Sequence, residues 1–310
     1  MHARLIRALG IAVGRLWAWL FSPGSELRLT AVISGLAALI GVQLAFFPWA
    51  ELAQLPPALF RPVPVLFFLE AMPPAGVIVA LQGGGVVAAA LAALGWRRRR
   101  TLLLAWLAYL VLAGLRASRG KIQHNDLLLL VACVPFLLAP PSRWLHRARA
   151  GRSVRWGWPI HTAVTFVAGA YFFSGLRKLL TSGPAWVASD NMRWILYAGA
   201  HGKAKVPEVA LFIADRPWLA HLTAAGVMAF ELGFPLLLLS RRARPVLVAG
   251  AFAFHGLTWL TLGLDYWKYA FVVLLLLVDW APPVERLRRA MPGWDAWSNR
   301  TPTSSTPSSA

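Results

Sequence analysis

PIHTAVTFVAGAYFFSGLRKLL, residues 159–180, is an apolar segment long enough to cross a lipid bilayer, and two adjacent cations lie near its end. A membrane-spanning helix needs about 20 mostly apolar residues to cross roughly 30 Å of hydrocarbon. Apart from a few small polar groups, the apolar run continues until Arg177 and Lys178. These two residues therefore mark the polar end of a predicted span.

The composition of the whole chain is that of a polytopic membrane protein. Its 310 residues are 58% hydrophobic and 14% charged, and the mean hydropathy is +0.59. A soluble domain of this composition would expose too much apolar surface. The net charge of +19 occurs in short clusters between apolar runs, which indicates cytoplasmic loops rather than a nucleic-acid partner. The single cysteine, Cys133, excludes a disulfide framework and is predicted to be a buried thiol.

We predict an all-α polytopic transmembrane helical bundle of about eight spans. Basic clusters occupy every second gap, so the positive-inside rule places both termini in the cytoplasm and the protein in the cell (inner) membrane. These clusters lie at 96–100, 142–156, 241–245 and 285–289. The predicted spans, of which the third and the last are the shortest, cover approximately 29–49, 75–95, 101–117, 124–141, 158–178, 218–239, 245–264 and 267–281.

Three regions follow along the chain. Residues 1–24 are predicted to form an amphipathic helix on the cytoplasmic leaflet, because Arg4, Arg7 and Arg15 share one helical face. Residues 25–290 are the transmembrane domain, and residues 291–310 have the composition of a disordered tail.

Lys178 is the first candidate for chemistry, because it lies at the outer end of its span, against the positive-inside trend. A lysine there is either an anchor whose ammonium reaches the headgroups or a general base in an apolar pocket. In the second reading, burial and the neighbouring Arg177 would keep its amine neutral for part of the time. Gly175, one turn away, would let another helix approach closely.

His124, at the outer start of the fourth span, is the second candidate. It is either part of a polar helix start, with Asn125 or Asp126 capping exposed amides, or an imidazole at the depth of Lys178. His221, Asp265 and Tyr266 are predicted to lie at the same depth. This convergence favours a pocket that opens outward.

Glu231 and His255 are predicted near the midplane of adjacent antiparallel spans. Ionisable groups there are usually paired or functional, so the two residues either form one interhelical hydrogen bond or serve as a proton relay or pocket floor. Trp186 is an interfacial anchor or a lid over a flat aromatic ligand such as a quinol. The histidine spacing is not that of a metal site, and we expect none.

The stretch AYFFSGLRKLLTSGPAW resembles the signature of vitamin K-dependent γ-carboxylase and of the horizontally transferred transmembrane (HTTM) domain proteins of bacteria. QHNDLLLL, FELGFPLLLLSRRAR and FHGLTWLTLGLDYW are similar to further elements of this family, in the same order. The matching residues are Tyr171, Phe172, Gly175, Lys178, Leu179, Trp186, His124, Glu231, Pro235, Phe254 and His255.

The resemblance implies that Lys178 deprotonates a reduced quinone of the vitamin K type, that His124 assists, and that dioxygen is the oxidant. Arg177, Trp186, Glu231, His255, Asn125 and Tyr171 are the expected supporting residues of the pocket. The chain ends near residue 310, without the carboxylase's large extracytoplasmic part, so peptide carboxylation is less expected than quinol chemistry. The substrate classes are a quinol or a peptide. The alternative function is a non-enzymatic partner in peptide maturation or export, or a small transporter.

Overall fold

The structure is a computed structural model that describes residues 2–120, 124–142, 148, 151–238 and 240–290. Within these residues the chain is mainly helical, and the predicted tail at 291–310 lies outside them. The α-helices are α1 (His2–Leu20), α2 (Glu26–Phe46), α3 (Ala75–Leu94), α4 (Arg98–Ala117), α5 (Leu127–Leu138), α6 (Val154–Ser182), α7 (Ala185–Ala188), α8 (Asn191–Ala200), α9 (Pro207–Ala214), α10 (Pro217–Leu238), α11 (Arg244–Leu262), α12 (Trp267–Leu277) and α13 (Ala281–Ala290).

In the part of the chain that the structure describes, six helices are long and apolar enough to cross a membrane. They are α2, α3, α4, α6, α10 and α11, and the shorter helices α5 and α12 are also apolar. The prediction of an all-helical membrane-type bundle is therefore confirmed. That all eight helices cross the membrane, and that both termini are cytoplasmic, stay predictions.

The lengths of several helices differ from those of the predicted spans. The third predicted span is not short, because α4 begins at Arg98 and extends over 20 residues. The buried Arg98 guanidinium donates to the carbonyl of Ala92 and to the hydroxyl of Ser142, which lets a charged residue take part in the start of the helix. The short helices are α5, of 12 residues with Pro135 inside it, and α12, of 11 residues.

The start of α2 is fixed to the start of α6. A two-residue strand, β1 (Gly24–Ser25), pairs antiparallel with β2 (Arg152–Ser153). The side chain of Ser25 caps α2 by accepting a hydrogen bond from the amide of Arg28, at 3.1 Å. A Cβ atom at Gly157 would lie 2.1 Å from the carbonyl oxygen of Ser22, so this close crossing requires glycine.

Helices α6 and α10 also approach closely, at Gly175. A Cβ atom there would lie 3.0 Å from the Cβ of Glu231 and 3.0 Å from the Cγ of Leu232. Small residues at helix crossings let two backbones come together in this way. The prediction that Gly175 admits a neighbouring helix is confirmed, and the neighbour is α10.

The buried apolar side chains of the described residues form two clusters. The larger cluster joins α2 to α6 with α12 and parts of α10 and α11, and it includes Cys133, which is buried as predicted. The smaller cluster joins α7, α8, α9 and α10 through residues such as Trp186, Leu196 and Met228. The candidate site lies where these two clusters meet.

Candidate functional site

A cavity of about 500 Å³ has walls from both apolar clusters. Its lining comes from α5, α6, α7, α8, α10, α11 and α12, and from the turn at 263–266 between α11 and α12. Most of the lining is apolar. Apart from Thr223, Thr258 and Thr261, whose hydroxyls donate to carbonyls of their own helices, the polar side chains of the lining form three groups. A few polar groups in an apolar lining are usual for a site that binds a small organic ligand.

The first polar group of the cavity is an ion pair between α6 and α10. The Nζ of Lys178 donates to both carboxylate oxygens of Glu231, each at 2.6 Å, and to the hydroxyl of Ser174 at 3.0 Å. Ser174 in turn donates to Glu231 Oε1, at 3.0 Å. Ser174 and Lys178 are four residues apart and so lie on the same face of α6. The contact at Gly175 brings this face against Glu231.

The two partners of this ion pair differ in exposure. The side chain of Lys178 is 26% exposed and that of Glu231 only 4%. The Nζ of Lys178 also lies 5.5 Å from the centroid of the Trp186 ring, within the range of a cation–π interaction. Trp186 also lines the cavity, and its role as an anchor or as a cover stays a prediction.

The second polar group is formed by Tyr171 and His255, both buried. The hydroxyl of Tyr171 and the Nε2 of His255 share a hydrogen bond of 2.6 Å. The ring of Tyr171 stacks on Phe234 with centroids 4.6 Å apart. The Nδ1 of His255 is buried without a hydrogen-bond partner among the described residues. Tyr171 lies two turns before Lys178 on α6, so the two polar groups occupy different depths of one cavity.

The third polar group surrounds His124, just before α5. The hydroxyl of Tyr266 and the Nε2 of His124 share a hydrogen bond of 2.9 Å. Tyr269 donates to the carbonyl of His124, and its oxygen accepts from the amide of Leu128 at 3.3 Å. Burial raises the pKa of the Tyr266 phenol above its usual range, so the phenol stays protonated at neutral pH. The positive charge of Arg116 opposes this rise in pKa, and the negative charge of Asp126 adds to it.

Six of the eight predicted site residues line this cavity, and two do not. Lys178, His124, Trp186, Glu231, His255 and Tyr171 belong to the lining. Arg177 is exposed, because it lies on a different face of α6 from Lys178, and Asn125 is buried outside the lining. His221 is also outside it, although the sequence placed it at the same depth.

Of the two readings of Glu231 and His255, the hydrogen bond between them is wrong, although both residues line the cavity. Each residue bonds to α6 instead, Glu231 through Lys178 and His255 through Tyr171. The reason is that α6 packs against α10 at Gly175, which brings Ser174 and Lys178 within hydrogen-bond distance of Glu231. The expectation that burial and the neighbouring Arg177 keep the Lys178 amine neutral for part of the time also differs from the structure, in which Lys178 is 26% exposed and Glu231 balances its charge.

The capping role considered for Asp126 is wrong as well. Asp126 occupies the N-cap position of α5, but its side chain makes no capping bond. Its carboxylate instead accepts from Tyr109, Arg116 and Lys268. The amide of Leu128 is capped from another helix, by the hydroxyl of Tyr269.

Sequence reasoning missed Ser174, Tyr269, Arg116 and Lys268. A signal was present for the two cations, because each lies at the outer end of a predicted span, as Lys178 does. For Ser174 and Tyr269 no such signal exists, since a serine or tyrosine in an apolar helix is ordinary.

Among the described residues, no three histidine, cysteine, aspartate or glutamate side chains are grouped as metal ligands would be. No family model matches the chain, and no curated protein and no solved structure matches it either.

Proposed function

We propose that this multi-pass membrane protein binds a small, mostly apolar ligand of the quinol class in the cavity, and that Lys178 and Glu231 together remove a proton from it. A single observation carries the proposal: a directly bonded ammonium and carboxylate open onto an otherwise apolar cavity of ligand size. Ionisable groups at such depth are costly and are usually functional. Trp186 adds an aromatic wall beside the amine.

The ion pair explains how a lysine that faces a carboxylate can act as a base. The pair has no net charge either as ammonium and carboxylate or as amine and carboxylic acid, so the second form loses little when a ligand excludes water from the cavity. Transfer of the Lys178 proton to Glu231 leaves a neutral amine at Nζ. That amine then takes the proton of the ligand hydroxyl, and Ser174 holds both partners during the exchange.

The residues present fit a reduced quinone. The cavity offers a flat aromatic wall at Trp186, a basic group at Lys178, and further hydrogen-bonding groups at His124 and Tyr171. A reduced quinone supplies weakly acidic ring hydroxyls and two electrons for dioxygen, which is the oxidant that the family resemblance implies. His124 would assist from the wall formed by α5.

Support for the HTTM and γ-carboxylase family comes from where its signature residues lie. Glu231 and His255 are far in the sequence from Tyr171, Lys178 and Trp186, yet all five residues line one cavity. Membership of the family is part of the proposal. It would make the protein an enzyme with quinol-oxidising or carboxylase-like activity.

We propose that the cavity opens toward the outside of the cell membrane. It is lined by the C-terminal parts of α6 and α11 and by the N-terminal parts of α5 and α10. The basic loops of the sequence follow or precede the opposite ends of these helices, and such loops remain in the cytoplasm. Both termini are then cytoplasmic, and α1 lies on the inner leaflet.

The test is oxygen consumption by the purified protein in lipid nanodiscs with a reduced naphthoquinone. We expect turnover in the wild type and in Lys205→Met, which removes an exposed lysine outside the cavity lining. We expect none above the protein-free rate in Lys178→Met. Equal rates with and without the wild-type protein would overturn the proposal.

A second candidate function is a non-enzymatic membrane partner in peptide maturation or export, or a small transporter. The observation that favours it is that the Lys178–Glu231 pair connects α6 and α10 beside Gly175, as a purely structural bond would. Under this reading, Lys178→Met/Glu231→Gln keeps full biological function, since a neutral pair can still hold the helices together.

A further inference from the structure

Four charged side chains meet behind the His124 wall of the cavity. The Nζ of Lys268 lies 3.3 Å from Asp126 Oδ1 and 3.1 Å from Asp265 Oδ2. The Nη1 of Arg116 lies 3.3 Å from Asp126 Oδ2, and its Nη2 lies 3.6 Å from Asp265 Oδ2. Two cations thus share two carboxylates, and the formal charge of this group, which we call the charge quartet, is zero.

The charge quartet is largely closed to solvent. The side chains of Lys268, Arg116 and Asp126 are 0%, 7% and 5% exposed, and only Asp265, at 30%, reaches the surface. The hydroxyl of Tyr109 donates a further hydrogen bond to Asp126 Oδ1, at 2.7 Å. None of the four charged residues lines the cavity, so the quartet does not contact a ligand there.

The charge quartet joins four pieces of the chain. Arg116 comes from the end of α4, Asp126 from the start of α5, Asp265 from the 263–266 turn and Lys268 from α12. The same turn also packs against the backbone of Lys203 at Gly263, which has a positive φ of 64°. The turn and the start of α5 form one wall of the cavity.

Two tyrosines connect this wall to His124. Tyr266, next to Asp265, shares a hydrogen bond with the imidazole of His124. Tyr269, next to Lys268, donates to the His124 carbonyl and accepts from the amide of Leu128. The residues that carry the ion pairs and those that hold His124 therefore alternate along the same short segment.

We propose that the charge quartet positions His124 at the cavity wall, by fixing the 263–266 turn and α12 so that Tyr266 and Tyr269 hold its ring and backbone. Arg116, Asp126, Asp265 and Lys268 are positioning residues. This role concerns the geometry of the wall and does not depend on which ligand the cavity binds.

The test uses the electrical balance of the quartet. Lys268→Met leaves two carboxylates with Arg116 as their one remaining cation in the quartet, a net charge of −1, whereas Asp265→Asn/Lys268→Met removes one charge of each sign and is neutral again. The readout is the ¹⁵N chemical shift of the His124 imidazole in histidine-labelled protein in nanodiscs, assigned by its loss in His124→Gln. Lys205→Met is the control for loss of a lysine elsewhere.

We expect the His124 Nε2 signal to move in Lys268→Met as the bond to Tyr266 is lost, and to return toward the wild-type shift in the neutral double variant. Lys205→Met leaves it in place. If Lys268→Met does not fold, Asp265→Asn serves instead, since it unbalances the quartet from its more exposed side. An unmoved His124 signal in both single variants, or an equal displacement in single and double variants, overturns the proposal.

Discussion

Two ionic groups lie near one cavity, and they differ in the number of their charges and in the burial of their lysines. In the Lys178–Glu231 pair, one ammonium faces one carboxylate, and the lysine side chain is 26% exposed. In the charge quartet each carboxylate contacts two cations, and Lys268 is fully buried. The first group lines the cavity and the second does not.

Under the proposed function, this difference separates an ionic group that exchanges a proton with a ligand from one that holds the structure. A single pair beside an open cavity can exchange its proton internally at no cost in net charge, and a ligand can reach it. In the charge quartet Lys268, Arg116 and Asp126 are closed off from water, so the loss of one charge leaves a buried charge without full compensation. We therefore expect substitution of Lys178 to affect mainly activity, and substitution in the charge quartet to affect mainly stability.

The largest effect is expected on activity, from Lys178→Met. Loss of a positioned base typically lowers a rate about 10²–10⁴-fold. Protein level and topology should remain normal, because Glu231 faces the cavity and can take up a proton once its partner is gone. Quinol-dependent oxygen consumption measures the activity, and the abundance of the protein in the membrane fraction measures its level. Full activity in this variant would remove Lys178 as the base.

Next in size is the effect of Lys268→Met on stability. Removal of one partner of a buried ion pair costs about 3–5 kcal/mol, and Lys268 serves two carboxylates. The free energy of unfolding, followed by denaturation with SDS in mixed micelles, should fall by an amount of this order. Asp265→Asn/Lys268→Met should recover much of the loss. If Lys268→Met lowers the free energy of unfolding by less than Lys178→Met does, the charge quartet is not the more structural of the two ionic groups.

A smaller loss is expected from Gly175→Val. Even a Cβ atom there would lie 3.0 Å from atoms of Glu231 and Leu232, so a branched side chain must push α6 and α10 apart. Overpacking of this kind costs about 1–3 kcal/mol. The same displacement should lengthen the bond between Lys178 and Glu231 and lower activity. Gly169→Val, on the same helix, would meet only the side chain of Phe173 and is the control.

The smallest effect is expected from Tyr266→Phe. It removes one hydrogen bond to His124 and leaves the charge quartet in place. The net contribution of such a bond is about 0.5–1.5 kcal/mol. The unfolding free energy should change by no more than this, while the ¹⁵N signal of His124 Nε2 moves. A stability loss as large as that of Lys268→Met would mean that Tyr266 has a larger structural role than its one bond gives it.

The short helices α7, α8 and α9 were not predicted. Hydropathy located the six helices that are long and apolar enough to cross a membrane, together with the shorter apolar helices α5 and α12. It misjudged where α4 begins, since Arg98 is buried by hydrogen bonds to Ala92 and Ser142 that no local pattern announces. Helix α5 is also shorter than its predicted span, because residues 124–126 are not helical and the helix ends at Leu138, before Pro140 and Pro141.

The sequence predicts most of the individual residues of the site, but it does not predict which of them are bonded to each other. Lys178, Glu231 and His255 were each recognisable as ionisable groups within predicted spans. Their partners depend on which helices are neighbours, and the sequence suggested α10 with α11 because these are consecutive. The structure shows that α6 bonds to both, to α10 through Lys178 and to α11 through Tyr171. Contacts between distant segments of this kind cannot be derived from spacing along the chain.

The position of the proton in the Lys178–Glu231 pair tests the central claim most directly. Infrared difference spectroscopy of the protein with and without a reduced naphthoquinone, in the absence of dioxygen, reports whether a carboxylate becomes protonated when the ligand binds. We predict a new band of a protonated carboxyl group in the wild type that is missing in Glu231→Gln. A Glu231 carboxylate that stays ionised with the ligand bound would contradict the proposed proton transfer.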